Sequence, residues 1–306
     1  MGELMSKGLR QNNQSTKDQI IAKLHEVYYS IVEPTRLKIE RLRSEHLYKN
    51  HNEKPLVSIC VPTYNRADIL IERAVKTALS QSYKNIELII VGDHCTDNTA
   101  ELLSKVQDPR LRFYNLPTRH RKYPKNIENH WFVGGAVPTN EAMRLANGTW
   151  IARLDDDDTW TDDHIEKLLH FALKGDYEFV SGLYAEERFG VRKVVDGVHA
   201  LDEYFTRSKK ENYKNSPKIG GVSTWLKRTY LRFMEYNIDC WRKDWNRVWD
   251  IDLALRIYDS GARIGFCDEV LAYVLPRPGE TSVGLEAYKL TEKEKMDHYA
   301  FGDQRI

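Results

Sequence analysis

The chain has 306 residues, of which 41% are hydrophobic and 30% are charged, and its formal net charge at pH 7 is +1. This length and composition are typical of a globular protein with a substantial core. A net charge this small argues against a strongly basic nucleic-acid-binding protein, so we expect no nucleic acid partner. The sequence contains no run of about 18 apolar residues, and we therefore expect no transmembrane helix.

The N-terminal residues and the cysteines indicate the compartment in which we expect the protein. The N-terminal residues lack the apolar core of a secretory signal peptide. Cys60, Cys95, Cys240 and Cys267 lie far apart, and no CxxC pair occurs. Widely separated cysteines suit a reducing compartment and argue against a zinc knuckle or a disulfide framework. We therefore expect a cytoplasmic protein.

Residues 1–54 have the character of a helical N-terminal extension. Apolar residues recur there at helical spacing and end at Pro34, where we expect the first helix to stop; they are Ile20, Ile21, Leu24, Val27, Tyr28 and Ile31. The charged stretch that follows, residues 35–50, is also expected to be helical. The simplest interpretation packs this extension on the main domain or on a second subunit, as in a homo-oligomer. Peripheral contact with a membrane surface is the alternative.

From residue 56 onward, apolar strand-like runs alternate with amphipathic helical segments. In chain order they are the strand LVSICVPTY, the helix DILIERAVKTALSQ with Asp68 as N-cap, the strand IELIIVGD, the helix TDNTAELLSKV entered by Asp97 or Asn98, and the strand LRFYNLP. A helix in TNEAMRLANG, the strand TWIARL and a helix in DDHIEKLLHFAL capped by Thr161 or Asp162 follow. This alternation predicts an α/β fold with a mostly parallel sheet flanked by helices.

Polar residues follow three of the predicted strands. They are Pro62, Thr63, Tyr64, Asn65 and Arg66 after the first, Asp93 after the second, and Asp155, Asp156, Asp157 and Asp158 after TWIARL. Ligands of such sheets bind beyond the carboxyl ends of the strands, so we expect these groups to meet. Carboxylates that face an Asn/Arg loop suit Mg²⁺ or Mn²⁺ carrying a nucleotide diphosphate. Since the sequence has no glycine-rich phosphate-binding loop, the metal would bind the phosphates in its place.

Three motifs together resemble those of the inverting family 2 glycosyltransferases with the GT-A fold. They are VSICVPTYNRADIL, IELIIVGDHCTDNTAELL and GTWIARLDDDDTW, and the resemblance runs from Leu56 to Ser282. It implies a nucleotide-sugar donor, commonly a UDP-sugar, a Mn²⁺ or Mg²⁺ cofactor, and a carbohydrate or other hydroxyl acceptor. It also implies a Rossmann-like GT-A domain over residues 55–283, between the helical N-terminal extension (1–54) and a helical C-terminal tail (284–306).

The resemblance assigns roles to individual residues. Contacts to the nucleotide sugar are implied for Pro62, Thr63, Tyr64, Asn65, Arg66, Asp93, Asp155 and Asp156. Asp157, the last acid of the DxD motif, is the implied metal ligand, while Asp158 or Asp162 is expected to cap the next helix. Asp250 matches the family's catalytic base, although Trp249 replaces the usual Glu. Helix capping by Asp250, and Asp252 as the base, stay open as alternatives.

Several positions depart from the family pattern or allow two interpretations. His94-Cys95 stand where Gly-Ser is usual, and Arg277 stands where many members have a histidine before Pro-Gly. An arginine cannot ligate a metal, but it can bind the donor diphosphate as a permanent charge. The basic residues Arg119, Arg121, Lys122 and Lys125 lie in a solvated loop or face the diphosphate or an anionic acceptor. Trp225, Trp241, Trp245 and Trp249 are expected mostly in the core, with one or two stacked on a sugar ring.

The sequence therefore predicts a metal-dependent inverting glycosyltransferase that acts by single displacement. Two other functions stay open. A sugar-nucleotidyltransferase also uses an α/β sheet and a metal, but it normally has a glycine-rich loop with Arg and Lys near its first strand, which VPTYNRADIL lacks. A non-catalytic module that binds nucleotide sugars is the second alternative.

Overall fold

The computed structural model describes residues 15–49, 54–119, 123–124, 126–195, 218–243, 247–284 and 287. The helices in this part are α1 (Thr16–Ser44), α2 (Ala67–Leu70, Ile71–Val75 and Lys76–Ser80, with a π-helical middle turn), α3 (Thr99–Ser104), α4 (Ile127–Val133), α5 (Ala136–Leu145), α6 (His164–Lys174) and α7 (Trp249–Asp259). Short 3₁₀ turns span Glu45–Tyr48, Val222–Thr224, Thr229–Phe233 and Cys240–Arg242. Almost all of the predicted C-terminal tail lies outside the described residues.

The strands of the described part form one mixed sheet. They are β1 (Val57–Thr63), β2 (Ile86–Gly92), β3 (Leu111–Asn115), β4 (Trp150–Arg153), β5 (Asp158–Trp160), β6 (Phe179–Arg188), β7 (Val191–Val195), β8 (Leu226–Arg228) and β9 (Ile264–Val274). Their order is β3-β2-β1-β4-β8-β6-β9-β5, with β7 beside β6. β1 to β4 pair in parallel, as predicted. The second half mixes directions, because β8 is antiparallel to both β4 and β6 while β6 and β9 are parallel.

The parallel half of the sheet positions the predicted site. Thr63 pairs with Gly92 at the ends of β1 and β2, and Cys60 pairs with Arg153 at the end of β4. β1 and β2 are buried at every position, which requires cover on both faces of the sheet. The three strands therefore end at one edge of the sheet, and the loops that carry the predicted site residues leave from that edge.

The predicted helix caps agree with the structure at one helix and differ at two others. Asp68 lies in the first turn of α2 rather than at its N-cap. The N-cap of α6 is Asp163, so the prediction of Thr161 or Asp162 was wrong. Asn98, one of two predicted caps, is the N-cap of α3. Neighbouring Thr, Asp and Asn residues offer competing caps, and the tertiary contacts decide among them.

Helix α1 continues through Pro34 to Ser44, so the predicted end at Pro34 was wrong. A proline inside a helix removes one hydrogen bond and crowds the preceding turn. Here the helix is anchored on both sides of the proline. Glu33 accepts from Arg256 Nη1 at 2.5 Å, and Arg41 Nε donates to Glu178 Oε1 at 2.6 Å. These tertiary contacts hold the helix in line despite the local cost.

The predicted apolar face of α1 points away from the domain. We call five exposed residues of this face the outer stripe. They are Ile20, Leu24, Val27, Tyr28 and Ile31, whose relative exposures are 55%, 63%, 47%, 56% and 64%. The extension does pack on the main domain, as one of the expected interpretations has it, but not through this apolar face. The helix contacts the domain through its opposite face, where Ala22, Glu33 and Leu37 are buried. Of the helices in the described ranges, none is both long and apolar enough to cross a membrane.

Candidate active site

The aspartate run after β4 alternates between partly exposed and buried side chains. Asp155 and Asp157 keep 32% and 24% of their side chains exposed, whereas Asp156 and Asp158 are buried. Asp158 does not cap α6, because it begins β5 and its Oδ2 accepts from the Ser223 hydroxyl at 2.5 Å. Two of the four acids are therefore partly exposed, and two are buried.

Burial and mutual repulsion act on the two inner acids. Burial raises the pKa of Asp156, an effect that Arg66 opposes and the charge of Asp157 reinforces. Burial raises the pKa of Asp158 well above its ordinary range, with the charges of Asp157 and Asp155 adding to the effect. Burial thus disfavours the ionised form of both inner acids, the neighbouring carboxylates add to this effect, and a cation bound nearby would favour the ionised form.

The loop after β1 is tied directly to the aspartates. Arg66 Nη1 donates to Asp156 Oδ1 at 2.9 Å and to Asp157 Oδ2 at 3.3 Å. The Thr63 hydroxyl donates to Asp156 Oδ2 at 2.8 Å. Both oxygens of Asp156 are thus engaged by protein groups, which favours a supporting role over the donor contact expected from the sequence. Asp155 and Asp157 are the acids left facing a ligand.

Tyr64 and Asp93 meet around an arginine. Arg119 Nε donates to Asp93 Oδ2 at 2.8 Å, and its guanidinium carbon lies 3.3 Å from the centroid of the Tyr64 ring. Arg119 Nη1 and Nη2 are buried, and neither has a hydrogen-bond partner within the described part of the chain. Because buried donors normally find an acceptor, this corner suits a flat polar group such as a nucleobase. Three other basic residues of the same segment, Arg121, Lys122 and Lys125, lie outside the described residues.

Two residues at the strand ends adopt left-handed backbone conformations. Asn65 has φ 48° and His94 has φ 61°. This region favours glycine, which agrees with the glycine that the family pattern has at position 94. Asn65 Oδ1 accepts from the Thr96 backbone N–H at 2.8 Å, so its amide links two loops. Pro62 is buried within β1. Pro62 is thus covered by the fold, whereas Asn65 stays partly exposed.

Arg73, which the sequence did not single out, positions the Asp157 loop. It lies in the π-helical turn of α2, a feature often found at functional sites. Its Nη1 donates to the backbone oxygens of Asp157 at 2.6 Å and Leu275 at 3.1 Å, and its Nη2 donates to that of Pro276 at 2.6 Å. The clamp brings Arg277 Nε to 3.9 Å from Asp157 Oδ2. No local signal reveals this role, since the two segments lie 84 and 202 residues away.

Positive charge converges beside the aspartates. Burial, together with the charges of Arg119, Arg66 and Arg277, lowers the pKa of His130 to about 3. The ring is therefore neutral at physiological pH, and three guanidinium groups lie within electrostatic range of it. A cluster of permanent cations next to partly exposed carboxylates suits an anion bound together with a metal.

Helix α7 carries Asp250 toward the same place. Burial raises the pKa of Asp250 to about 6, with the charge of Asp155 adding and that of Arg153 opposing. Arg153 itself donates to Asp155 at 2.5 Å. The N-cap of α7 is Val248 rather than Asp250, but Asp250 Oδ1 accepts from the Ile251 backbone N–H in the first turn at 2.7 Å. A partly ionised carboxyl group within electrostatic range of the DxD acids has the character of a general base.

Asp252, the rival base, is committed elsewhere. It is buried, and its carboxylate accepts from Lys243 Nζ and from Arg256 Nε, both at 2.9 Å. Burial alone would raise the pKa of Asp252, but the charges of Lys243 and Arg256 outweigh it and hold that pKa below its ordinary value. A carboxylate in two buried ion pairs is a poor proton acceptor, which leaves Asp250 as the candidate.

Three of the four tryptophans singled out in the second half belong to the core. Trp225, Trp241 and Trp249 are buried. Trp249 packs against Gly135, where a Cβ atom would lie 3.0 Å from the indole ring. These three side chains therefore offer no face to a sugar, and Trp245 lies outside the described residues.

A divalent cation fits the acidic face by the chemistry of its donors. Mg²⁺ and Mn²⁺ in nucleotide sites take one or two carboxylates, with phosphate oxygens and water completing the shell. The partly exposed carboxylates of Asp157 and Asp155 match that donor set. Among the described residues, no group of three or more His, Cys, Asp or Glu side chains forms an all-protein cage. A cation here would thus depend on donor phosphates for the rest of its shell.

Solved structures with the same architecture are glycosyltransferases of GT-A fold. TarS of S. aureus (residues 1–349), in complex with UDP-GlcNAc, matches with a TM-score of 0.53 and 19% identity over 74% of this chain and 60% of that chain. A mannosyltransferase from Pyrobaculum calidifontis, in complex with GDP-Man and Mn²⁺, matches with a TM-score of 0.53 and 17% identity over 85% of this chain and 69% of that chain. The predicted GT-A fold is confirmed.

Sequence relatives give the family. The Escherichia coli UDP-Glc:alpha-D-GlcNAc-diphosphoundecaprenol beta-1,3-glucosyltransferase WfaP is 37% identical over 144 residues, which are 47% of this chain and 50% of the relative. WfgD, an E. coli protein of the same description, is 32% identical over 129 residues, 42% of this chain and 46% of the relative. The chain thus spans about half the length of these relatives. The sequence profile of glycosyl transferase family 2 matches residues 58–232, more than half of the chain, so the chain belongs to this family.

Proposed function

We propose that this protein transfers a sugar from a UDP-sugar to a carbohydrate hydroxyl, with inversion and with Mn²⁺ or Mg²⁺ bound. One observation carries the proposal: the partly exposed Asp157 lies beside the guanidinium groups of Arg66 and Arg277, and the partly exposed Asp155 lies beside that of Arg153. The charge of Asp155 also acts on Asp250. A nucleotide diphosphate, a cation and an acceptor hydroxyl each find complementary groups in this arrangement.

A uridine nucleotide is the donor we favour. The E. coli relatives carry UDP-Glc in their names, and TarS of S. aureus was solved with UDP-GlcNAc. The corner formed by Tyr64, Asp93 and Arg119 suits the base, because it combines a flat ring with buried donors that have no partner among the described residues. Arg66 and Arg277 suit the diphosphate as permanent charges. The family match also favours a glycosyltransferase over a sugar-nucleotidyltransferase.

The leaving group is stabilised at the acidic end of the site. A divalent cation bound at Asp157 would supply Lewis-acid stabilisation of the charge that develops on the leaving diphosphate. Arg66 and Arg277 add fixed positive charge there, and Arg73 holds the Asp157 backbone in position. These groups are set before the donor arrives, so little reorganisation is needed during the reaction.

Asp250 removes the acceptor proton. The acceptor hydroxyl attacks the anomeric carbon from the face opposite the diphosphate, and the carboxylate takes its proton as the new bond forms. With a pKa of about 6, Asp250 is mostly ionised at neutral pH and still more basic than an ordinary aspartate. One displacement exchanges the diphosphate for the acceptor oxygen, so the configuration inverts.

The relatives also indicate the kind of acceptor and compartment. WfaP and WfgD are named for a GlcNAc-diphosphoundecaprenol acceptor, which supports a sugar hydroxyl carried on a lipid diphosphate. All four cysteines are free, as in a cytoplasmic protein that works on the inner side of a membrane.

The test measures UDP release and transfer with UDP-Glc, UDP-GlcNAc and related donors, with Mn²⁺ and a GlcNAc-diphospholipid acceptor. We expect turnover by the wild type, loss of turnover in Asp157→Asn and Asp250→Asn, and unchanged UDP affinity in Asp250→Asn. Asp268→Asn, the same change at an exposed position of β9, is the matched control and should behave as wild type. Failure to bind or turn over any nucleotide sugar, with or without metal, contradicts the proposal. Donor binding without turnover by the wild type indicates a non-catalytic module.

A further inference from the structure

The outer stripe of α1 forms a continuous apolar band. At 3.6 residues per turn, its five residues fall within about 100° of the helix circumference. Leu42, which is 88% exposed, lies on the same side of the helix further along. The buried residues Ala22 and Glu33 lie roughly opposite. Single exposed apolar residues are ordinary, but a band that follows one helix face for several turns marks an interaction surface.

The exposed charges of α1 are all of one sign. The charged residues of this helix in the exposed class are Lys17, Lys23, Arg36, Lys38 and Arg43. Lys17, Lys23 and Lys38 lie on the side of the outer stripe, within roughly 90° of its centre on the same projection. Lys23 also lies 3.3 Å from Glu26, but a solvent-exposed pair of this kind is weak. The outward side of the helix is therefore apolar and cationic.

Three of the four acids of α1 lie near cations of the domain. Asp18 pairs with Arg242, and Glu33 pairs with Arg256 at 2.5 Å. Glu26 Oε1 lies 3.9 Å from Lys243 Nζ. The remaining acid, Glu40, lies 3.9 Å from Arg36 and 3.7 Å from Arg43, within α1 itself. The sequence of the helix looks mixed in charge, but the folded domain neutralises most of its negative charge and leaves the lysines outside.

We propose that α1 lies flat on an anionic lipid bilayer, with the outer stripe in the interfacial region and the lysines at the lipid phosphates. A helix with an apolar face flanked by Lys and Arg is suited to this environment. A second copy of the chain fits less well, because apposed stripes would bring Lys17, Lys23 and Lys38 of both copies together at the edge of an apolar contact. This inference depends only on the surface of α1 and not on the proposed transfer reaction.

The test is flotation of the full chain with vesicles, in the absence of donor, metal and acceptor. We expect binding to vesicles of 70% phosphatidylcholine and 30% phosphatidylglycerol, much weaker binding to pure phosphatidylcholine, and release in 0.5 M salt. Leu24→Gln with Ile31→Gln should lower the partition constant at least tenfold. Replacing Lys17, Lys23 and Lys38 by Gln should lower it by about fivefold for each lysine.

The matched control is Val191→Gln with Val194→Gln, which removes two valines of 55% and 56% exposure from β7 and should leave binding unchanged. All three variants change exposed side chains, so their melting temperatures should stay at the wild-type value. Wild-type protein that stays off anionic vesicles overturns the proposal, as does full binding by the Leu24/Ile31 variant. A dimer in sedimentation that this variant dissociates would assign the stripe to a second copy. Loss of turnover with intact vesicle binding contradicts only the proposed function.

Discussion

Asp250 and Asp252 lie two residues apart on α7 and should respond in opposite ways to the same substitution. Asp250 is a half-buried residue, and desolvation raises the pKa of its carboxyl group to about 6. Asp252 forms ion pairs with Lys243 and Arg256, which hold its pKa low. Asp250→Asn removes a charge that the fold disfavours, whereas Asp252→Asn removes the partner of two buried cations.

The expected changes in the free energy of unfolding follow from these environments. A rise in pKa from 3.8 to about 6 makes the ionised form of Asp250 about 3 kcal/mol less favourable in the folded than in the unfolded chain. The amide must still find hydrogen-bond partners, so we expect Asp250→Asn to stabilise the protein by about 1–2 kcal/mol at pH 7. Asp252→Asn should destabilise it by about 3–5 kcal/mol, because Lys243 and Arg256 lose their buried counter-charge.

The dependence of stability on pH tests the sign of the Asp250→Asn effect independently. Between about pH 4 and pH 6, folded wild-type protein keeps the Asp250 proton that the unfolded chain releases, so this group's contribution to stability falls as the pH rises. Asp250→Asn lacks this effect. Its stability relative to wild type should therefore rise by about 2 kcal/mol between pH 4 and pH 7, from slightly below wild type at pH 4 to above it at pH 7, and change little at higher pH.

Urea unfolding of both variants, followed by circular dichroism at pH 4, 5, 6 and 7, measures these free energies directly. Transfer assays on the same preparations should show Asp250→Asn at least a hundredfold below wild type. Two results would refute the reasoning: an Asp250→Asn protein less stable than wild type at pH 7, or an advantage that does not change with pH. Normal turnover by Asp250→Asn would remove this residue from the base role.

Four further outcomes test the site. Because the base must be ionised, the turnover number of the wild type should fall about tenfold per pH unit below about pH 6 and level off above it. A flat profile from pH 5 to 7 argues against Asp250 as the base. Asp157→Asn should abolish the dependence of UDP-sugar binding on Mn²⁺ in calorimetry, whereas retention of that dependence would place the cation elsewhere. Arg119→Met should weaken uridine and UDP binding by a similar factor of about 10–100, and a loss confined to UDP would move Arg119 to the diphosphate. Arg73→Ala should reduce turnover at least tenfold with little loss of melting temperature, and Arg73→Lys should not restore it, because one ammonium cannot reproduce three backbone contacts.

The parallel half of the sheet could be predicted because its signals are local. The run of β1 and the polar residues after it are adjacent in sequence, and parallel pairing brings the loop ends together without further information. Local patterns also indicate that Asp157 and Asp250 matter, once the family motifs are recognised. The sequence cannot show which acids of the run are buried, because Asp156 and Asp158 are held by Thr63 and Ser223, which are distant in the chain.

Contacts between distant segments account for the rest of the differences. Arg73 has the same sequence signature as any arginine on an amphipathic helix, and only the fold brings it to Asp157 and Pro276. Helical periodicity in α1 correctly indicates an apolar face, but it does not show what packs against that face. The end predicted at Pro34 was wrong because ion pairs to the domain outweigh the local cost of a proline.

Ion pairs also join α1 and the turn after it to the transferase core as one folding unit. Arg228 has 1% relative exposure, and Glu45, just beyond α1, lies 3.0 Å from it. Glu178 is buried and accepts from Arg41 of α1. Both Arg228 and Glu178 lie within the family-matched segment, whereas their partners precede it. If the transferase core were joined to a different N-terminal segment, that segment would need matching charges at the same places. The helix and the core could therefore be exchanged between relatives only together.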